Sequence, residues 1–322
     1  MIICILAIIL ILAAIGVTVY CFYTCFYASN KTPQDPYGLL HGQQFLDLQE
    51  HIYESTRRME EVPFEAVQIK SFDSLTLSGR YYHIKDGAPV KIIFHGYRSM
   101  ALRDCAGGFG MARKLGMNVL AVDQRAHGNS EGHVITFGIW ERRDCLSWIK
   151  YINDRFGKET PVILSGLSMG AATVIMATAL PLPENVQCVL ADSPYSAPGA
   201  IIKKVCRDMK IPHALAYPFI RFAARTLGGF NLEQCSAVSA AEVSPIPILL
   251  LHGKDDRFVP CSMSEQIKKA SDKVTTLVTF DGAGHGLSYI VDPIVYENTV
   301  FEFLKQFPAL EEYITTNEEE AL

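Results

Sequence analysis

The chain has 322 residues, a formal net charge of −5, 49% hydrophobic residues and nine cysteines. That length suits one α/β domain with a terminal segment set aside, and the apolar fraction supplies a sizeable core. The acidic balance without any Lys/Arg-rich run argues against a nucleic-acid partner, and singly scattered cysteines without a CxxC pair give neither a disulfide framework nor a zinc site.

Ile2 through Ala28 contains no charged residue. At 1.5 Å per residue it is long enough to cross the roughly 30 Å hydrocarbon slab of a bilayer. Tyr20, Phe22, Tyr23, Phe26 and Tyr27 follow as an aromatic cluster suited to a membrane interface. The stretch has no basic start, exceeds the usual apolar core of a signal peptide and is followed by no small-residue cleavage site, so an uncleaved single-pass anchor is expected over 2–28. Lys31, the nearest flanking cation, does not fix the side of the cell membrane on which the body lies. A polar connector over 29–63 contains a helix around Leu39–Met59.

The body, expected over 64–310, alternates strands and helices. Val67–Ser71 and Leu75–Ile84 read as a β-pair around the turn Phe72-Asp73-Ser74. Strand Val90–Phe94, helix Met100–Leu115, strand Asn118–Asp123 and the amphipathic helix Thr136–Phe156 come next. Strand Val162–Ser165 precedes a small-residue helix, followed by strands Gln187–Asp192 and Ile246–Leu251, helix Ser264–Ala270, strand Thr275–Phe280 and helix Ile294–Phe307. Continuous apolar strands are those of a parallel sheet buried on both faces, and the alternation makes a doubly wound, mostly parallel α/β sheet. About fifty residues, 195–244, interrupt it with helical stretches Ala200–Met209 and Leu215–Leu227, which read as an inserted cap. A polar tail over 311–322 ends the chain.

Gly166-Leu167-Ser168-Met169-Gly170 joins a buried strand to a helix, the local grammar of a nucleophile elbow. A serine hydroxyl needs a base, and the base an orienting acid. Loops at the carboxyl ends of strands are where such groups collect, and two later strands exit into His252-Gly253-Lys254-Asp255-Asp256 and Gly282-Ala283-Gly284-His285-Gly286. His285, between glycines, is the candidate base. Asp255 and Asp256 compete for the acid, with Asp192 a lower-ranked alternative. His95 and His252 read as loop-shaping groups, as do His127 and His133, although His127 could touch substrate. For a tetrahedral oxyanion, backbone N–H donors are expected from Met169, at the start of the elbow helix, and from Tyr97, after the first parallel strand.

On the motifs Phe94-His95-Gly96-Tyr97, Asp123-Gln124-Arg125-Ala126-His127-Gly128-Asn129-Ser130, Gly166-Leu167-Ser168-Met169-Gly170, His252-Gly253-Lys254-Asp255-Asp256 and Gly284-His285-Gly286, the body resembles the α/β-hydrolase superfamily. The likeness is strongest to bacterial serine aminopeptidase S33-like and monoacylglycerol-lipase-like hydrolases. Members often carry Gly where Ala126 stands, a departure that touches loop geometry. The resemblance implies an α/β-hydrolase fold and a serine hydrolase with no metal or organic cofactor. The chain order Ser168, Asp256, His285 is the family's, and its acid is the fifth residue of the His252 motif, which selects Asp256.

The expected activity is that of a membrane-anchored serine hydrolase cleaving a carboxylic ester through an acyl-enzyme, with a small-molecule acyl substrate for which the anchor and the apolar cap suggest a lipid-like chain. A serine peptidase of the same fold is the alternative, with Glu233 or Glu242 gripping a substrate amine. A non-catalytic binding protein on a hydrolase fold is the second alternative. The sequence names no substrate-binding residue, because this fold hosts many chemistries.

Overall fold

A computed structural model describes residues 2–28, 35–37, 43–311, 313 and 314. Lys31, positions 39–42 of the helix expected from Leu39 and the tail from 315 onward lie outside the described residues. The chain opens with the apolar helix α1 (Ile2–Cys25), followed by α2 (Gln43–Leu46) and α3 (Gln49–Glu60). The body then runs β1 (Glu65–Lys70), β2 (Thr76–Tyr82), β3 (Val90–Phe94), α4 (Ala101–Asp104), α5 (Ala106–Lys114), β4 (Asn118–Val122), α6 (Glu141–Phe156), β5 (Val162–Leu167), α7 (Met169–Ala177) and β6 (Val186–Asp192). Cap helices α8 (Pro198–Asp208), α9 (His213–Thr226) and α10 (Ala237–Glu242) intervene before β7 (Ile248–Gly253), α11 (Ser262–Ala270), β8 (Thr275–Phe280), α12 (Ser288–Val291) and α13 (Pro293–Leu304).

The eight strands form one sheet in the order β1-β2-β4-β3-β5-β6-β7-β8. β1 and β2 pair antiparallel, β2 meets β4 antiparallel, and the six strands from β4 to β8 across the sheet are parallel. Side chains of the inner strands alternate between two cores: Leu120 and Val122 of β4 enter the core that holds Trp148 of α6 and Val174 of α7, while Val119 and Ala121 enter the one shared with Phe109 and Phe303. This two-sided burial is why these strands are apolar at most positions, whereas β1, at the sheet edge, is largely exposed. The parallel register sets Phe94 opposite both Val122 and Gly166, and Leu167 opposite Asp192, so the carboxyl ends of β4, β3, β5 and β6 share one edge.

Three differences from the sequence expectation have physical causes. The helix expected at Thr136 starts at Glu141, because the Glu141 carboxylate turns back to accept from the N–H groups of Thr136 and Gly138, both at 2.8 Å. The helix expected over Met100–Leu115 is broken at Cys105, and Asp104 at the break turns toward the loop after β3. Of the aromatic cluster ending α1, Tyr20 and Tyr23 are exposed, but Phe22 and Phe26 are buried in the body. Phe26 meets Phe137 and Phe230 edge-on, at 5.9 and 5.2 Å.

Candidate active site

Ser168 sits between β5 and α7 with φ +55° and ψ −112°, a backbone state that L-residues avoid unless their surroundings impose it. The flanking glycines explain how it is held. A Cβ on Gly166 would lie 2.3 Å from the carbonyl carbon of Gly170, and one on Gly170 would lie 2.1 Å from the carbonyl oxygen of Phe94. Only glycine at both positions lets the strand, the turn and the next strand approach this closely. The Ser168 N–H donates to the carbonyl of Asp192 at 2.9 Å, which ties the turn to β6. Met169 opens α7, so its N–H has no acceptor one turn earlier and lies at the positive end of the helix.

His285, on the loop after β8, has its Nδ1 2.7 Å from Oδ2 of Asp256, on the loop after β7. Oδ1 of Asp256 accepts from the N–H groups of Phe258 and Val259 at 2.9 and 2.8 Å. Burial alone would raise the carboxyl's pKa, but bonds from His252, His285 and the Val259 backbone override it and hold the group below the usual carboxylate range. An ionised carboxylate only accepts, so Nδ1 of His285 carries the proton and Nε2 keeps its lone pair. His252 braces the acid. Its Nε2 donates to the Val259 carbonyl at 2.8 Å, 3.3 Å from Oδ2 of Asp256, while its Nδ1 takes the Ser264 hydroxyl proton at 2.7 Å. Asp255 is exposed. Asp192 is buried, a state that raises its pKa, and its carboxyl is bonded by Ser193 Oγ at 2.8 Å and by Tyr296.

The loop after β3 approaches the serine from the other side. A Cβ on Gly96 would be 3.5 Å from that of Ser168. Asp104 braces this loop by accepting from the Gly96 N–H at 2.8 Å and the Ser99 hydroxyl at 2.6 Å. Tyr97 stacks on Phe137 with ring centroids 5.0 Å apart. Arg98 has φ +52°, and its N–H donates to Nε2 of His127 at 3.0 Å. Burial, then the neighbouring His95, pushes His127 down to about 3, so it is a neutral acceptor. His95 accepts from the Gln124 N–H through Nε2 at 3.0 Å and donates from Nδ1 to the Gly96 carbonyl at 2.8 Å. Both histidines therefore shape the loop. Ala126 occupies φ +64°, the backbone reason a glycine suits that position. His133 is exposed and stacks against Tyr27.

Ser168, His285, Gly96 and Tyr97 border one cleft of about 250 Å³, together with Phe258 and Tyr289. No motif names a substrate-lining residue, yet Phe45, Ile52 and Ser55 from α2 and α3 also line the cleft. The amphipathy of α3 marks a buried face but not what that face covers. The Asp104 brace is likewise invisible to motif reading, since it depends on a helix break. Among the described residues no group of three or more His, Cys, Asp or Glu is placed to hold a metal ion.

Comparison with known proteins agrees with this architecture. The pattern of the alpha/beta hydrolase family matches residues 92–296. Protein YqkD of Bacillus subtilis is 24% identical over 92% of this chain and 94% of its own length. The Pyrococcus furiosus esterase Pf2001 superposes with a TM-score of 0.63 at 25% identity, covering 78% of this chain and 93% of the esterase. Est1E of Butyrivibrio proteoclasticus, solved with ferulic acid bound, shares the fold with a TM-score of 0.57 at 21% identity, over 75% of this chain and 98% of its own. The likeness to Pf2001 supports a hydrolase of esterase type, and the chain belongs to the alpha/beta hydrolase family.

Proposed function

We propose that the protein is a membrane-anchored serine hydrolase that cleaves a carboxylic ester by way of an acyl-enzyme, with Ser168, His285 and Asp256 as its triad. The observation that carries this reading is the 2.7 Å pairing of His285 with Asp256 at the border of the cleft into which the strained Ser168 turn opens. The Ser168 hydroxyl attacks the ester carbonyl carbon while Nε2 of His285 takes its proton. Asp256 keeps the imidazole in the required tautomer and stabilises the imidazolium. The oxyanion of the tetrahedral intermediate is held by the backbone N–H groups of Tyr97 and Met169, donors that are each worth about 10²–10³ in rate. His285 then protonates the leaving alcohol, the ester C–O bond breaks, and water activated by the same imidazole releases the acid from Ser168.

The anchor reading rests on α1, a 24-residue helix long and apolar enough to cross a membrane, whose Ile2–Leu12 side chains are exposed. We divide the chain into an anchor over 2–28, a connector over 29–63, a hydrolase body over 64–310 with its cap over 195–244, and a tail over 311–322. Neither acid suggested for gripping a substrate amine borders the cleft, and Glu233 is paired with Arg221 at 2.7 Å. An ester therefore fits better than a peptide.

The test uses the full chain in detergent. We expect turnover of p-nitrophenyl esters, covalent labelling by a fluorophosphonate, and loss of both in Ser168→Ala. Wild-type protein that hydrolyses no ester of the series and resists the fluorophosphonate would end this reading. Faster cleavage of aminoacyl amides than of matched esters would replace it with the peptidase.

A further inference from the structure

Ala14 of α1 is half-buried and Thr18, Cys21 and Phe22 are buried, a helical spacing that marks the face laid against cap helix α9. A groove runs between the two helices, lined by Ile11, Ile15 and Val19 on one side and by Pro218, Phe219 and Phe222 on the other. The groove between cap and anchor therefore reaches as far along α1 as Ile11. Within α1 the nine residues Ile2–Leu10 lie beyond it, and at 1.5 Å each they measure about 14 Å. That is less than half of the roughly 30 Å that a span must cover. A span formed by α1 then includes the stretch Ile11–Val19, and α9 flanks that same stretch.

The surface of α9 suits that depth. Tyr217, Ile220, Ala223 and Ala224 are buried in the body, while Leu215 and Phe222, on the face turned away from it, are 71% and 57% exposed. Met209 and Ile211, just before the helix, are also exposed. Arg225, and Arg221 with its Glu233 partner at 2.7 Å, stand on one flank of the apolar face, where long cationic side chains extend to a headgroup layer while their stems remain in apolar surroundings. Isolated exposed apolar residues mean little, but here they continue the lipid-facing surface of the adjacent α1.

We propose that α9 is an interfacial membrane helix: the cap dips into the acyl region of the leaflet that α1 enters, with Leu215 and Phe222 among the lipid chains and Arg221 and Arg225 at the phosphates. This rests on reading α1 as a span. The experiment incorporates a photoreactive benzophenone amino acid, one position at a time, in place of Ile9, Leu215, Phe222 or the exposed Glu159. Each full-length protein is reconstituted in vesicles of phosphatidylcholine and phosphatidylglycerol with radiolabelled acyl chains. We expect Ile9, Leu215 and Phe222 to transfer label to the protein at least about tenfold above Glu159. Lipid labelling at Ile9 with none at Leu215 and Phe222 overturns the proposal and leaves the anchor intact. A crosslink from Phe222 to a second copy, or labelling at Glu159 equal to that at Phe222, also overturns it. Silence at Ile9 removes the anchor reading and this proposal together.

Discussion

Asp256 accepts two backbone N–H groups and the His285 ring from a side chain wholly withdrawn from solvent, while its neighbour Asp255 stays exposed. On the proposed mechanism, Asp256→Asn removes the acceptor that fixes the imidazole tautomer and lowers kcat by about 10⁴. Asp255→Asn changes it less than about twofold, and steady-state ester kinetics compare the two. The pH dependence follows from sign. The folded pKa of Asp256 lies below its unfolded value of about 3.9, so the stability it contributes is complete above about pH 4 and is lost as pH falls through the depressed value. Urea midpoints of wild type and Asp256→Asn are expected to differ by a constant amount between about pH 5 and 8 and to converge in more acid solution. The elbow was legible from sequence because two glycines and a serine are forced by close approach within five residues. The support given by His252 was not, because Ser264, which orients its ring, lies twelve positions away on another element.

At the level of elements, β3 carries an anomaly within an otherwise apolar strand. Lys91 is 4% exposed, with Nζ 3.3 Å from the Gly108 carbonyl, and burial lowers its pKa to about 8, with Cys105 and Cys188 opposing slightly. An unfolded lysine titrates near 10.4, so between about pH 8 and 10 the unfolded chain binds more protons and stability rises with pH. We expect Lys91→Met to be more stable than wild type at pH 7, by on the order of 3 kcal/mol, and to lose that rise. Urea midpoints at neutral and alkaline pH check both. Strands β3 to β7 were readable because burial on both faces makes most of their positions apolar, with the polar residues other than Lys91 and Ser165 at or next to the strand ends. Helix starts were less so. The onset of α6 depends on the Glu141 carboxylate bonding backward, a choice that hydrophobic periodicity does not encode.

Across the whole molecule, the end of α1 is part of the folded body. The Phe26 carbonyl accepts from the Ile135 N–H and the Ala28 N–H donates to the His133 carbonyl, both at 2.8 Å. Tyr97 and Arg98, from the loop beside Ser168, donate side-chain bonds to the carbonyls of Cys25, Thr24 and Tyr27 at 2.8–3.1 Å. Phe26→Ala empties a fully buried aromatic site and is expected to cost about 3–5 kcal/mol, measured by denaturation of the full chain in detergent. Composition separates an apolar terminus from a globular remainder, but it says nothing of these bonds, whose partners lie about seventy or more positions apart. With Tyr27 already bridged to Val134 two residues after the helix ends, there is no slack in which the catalytic head can swivel. Once α1 is seated in a bilayer, the mouth of the cleft is fixed in height and heading. On the proposed function, such an enzyme chooses among esters partly by the altitude at which their scissile bonds float, as a crane on a rigid mast works only at one radius.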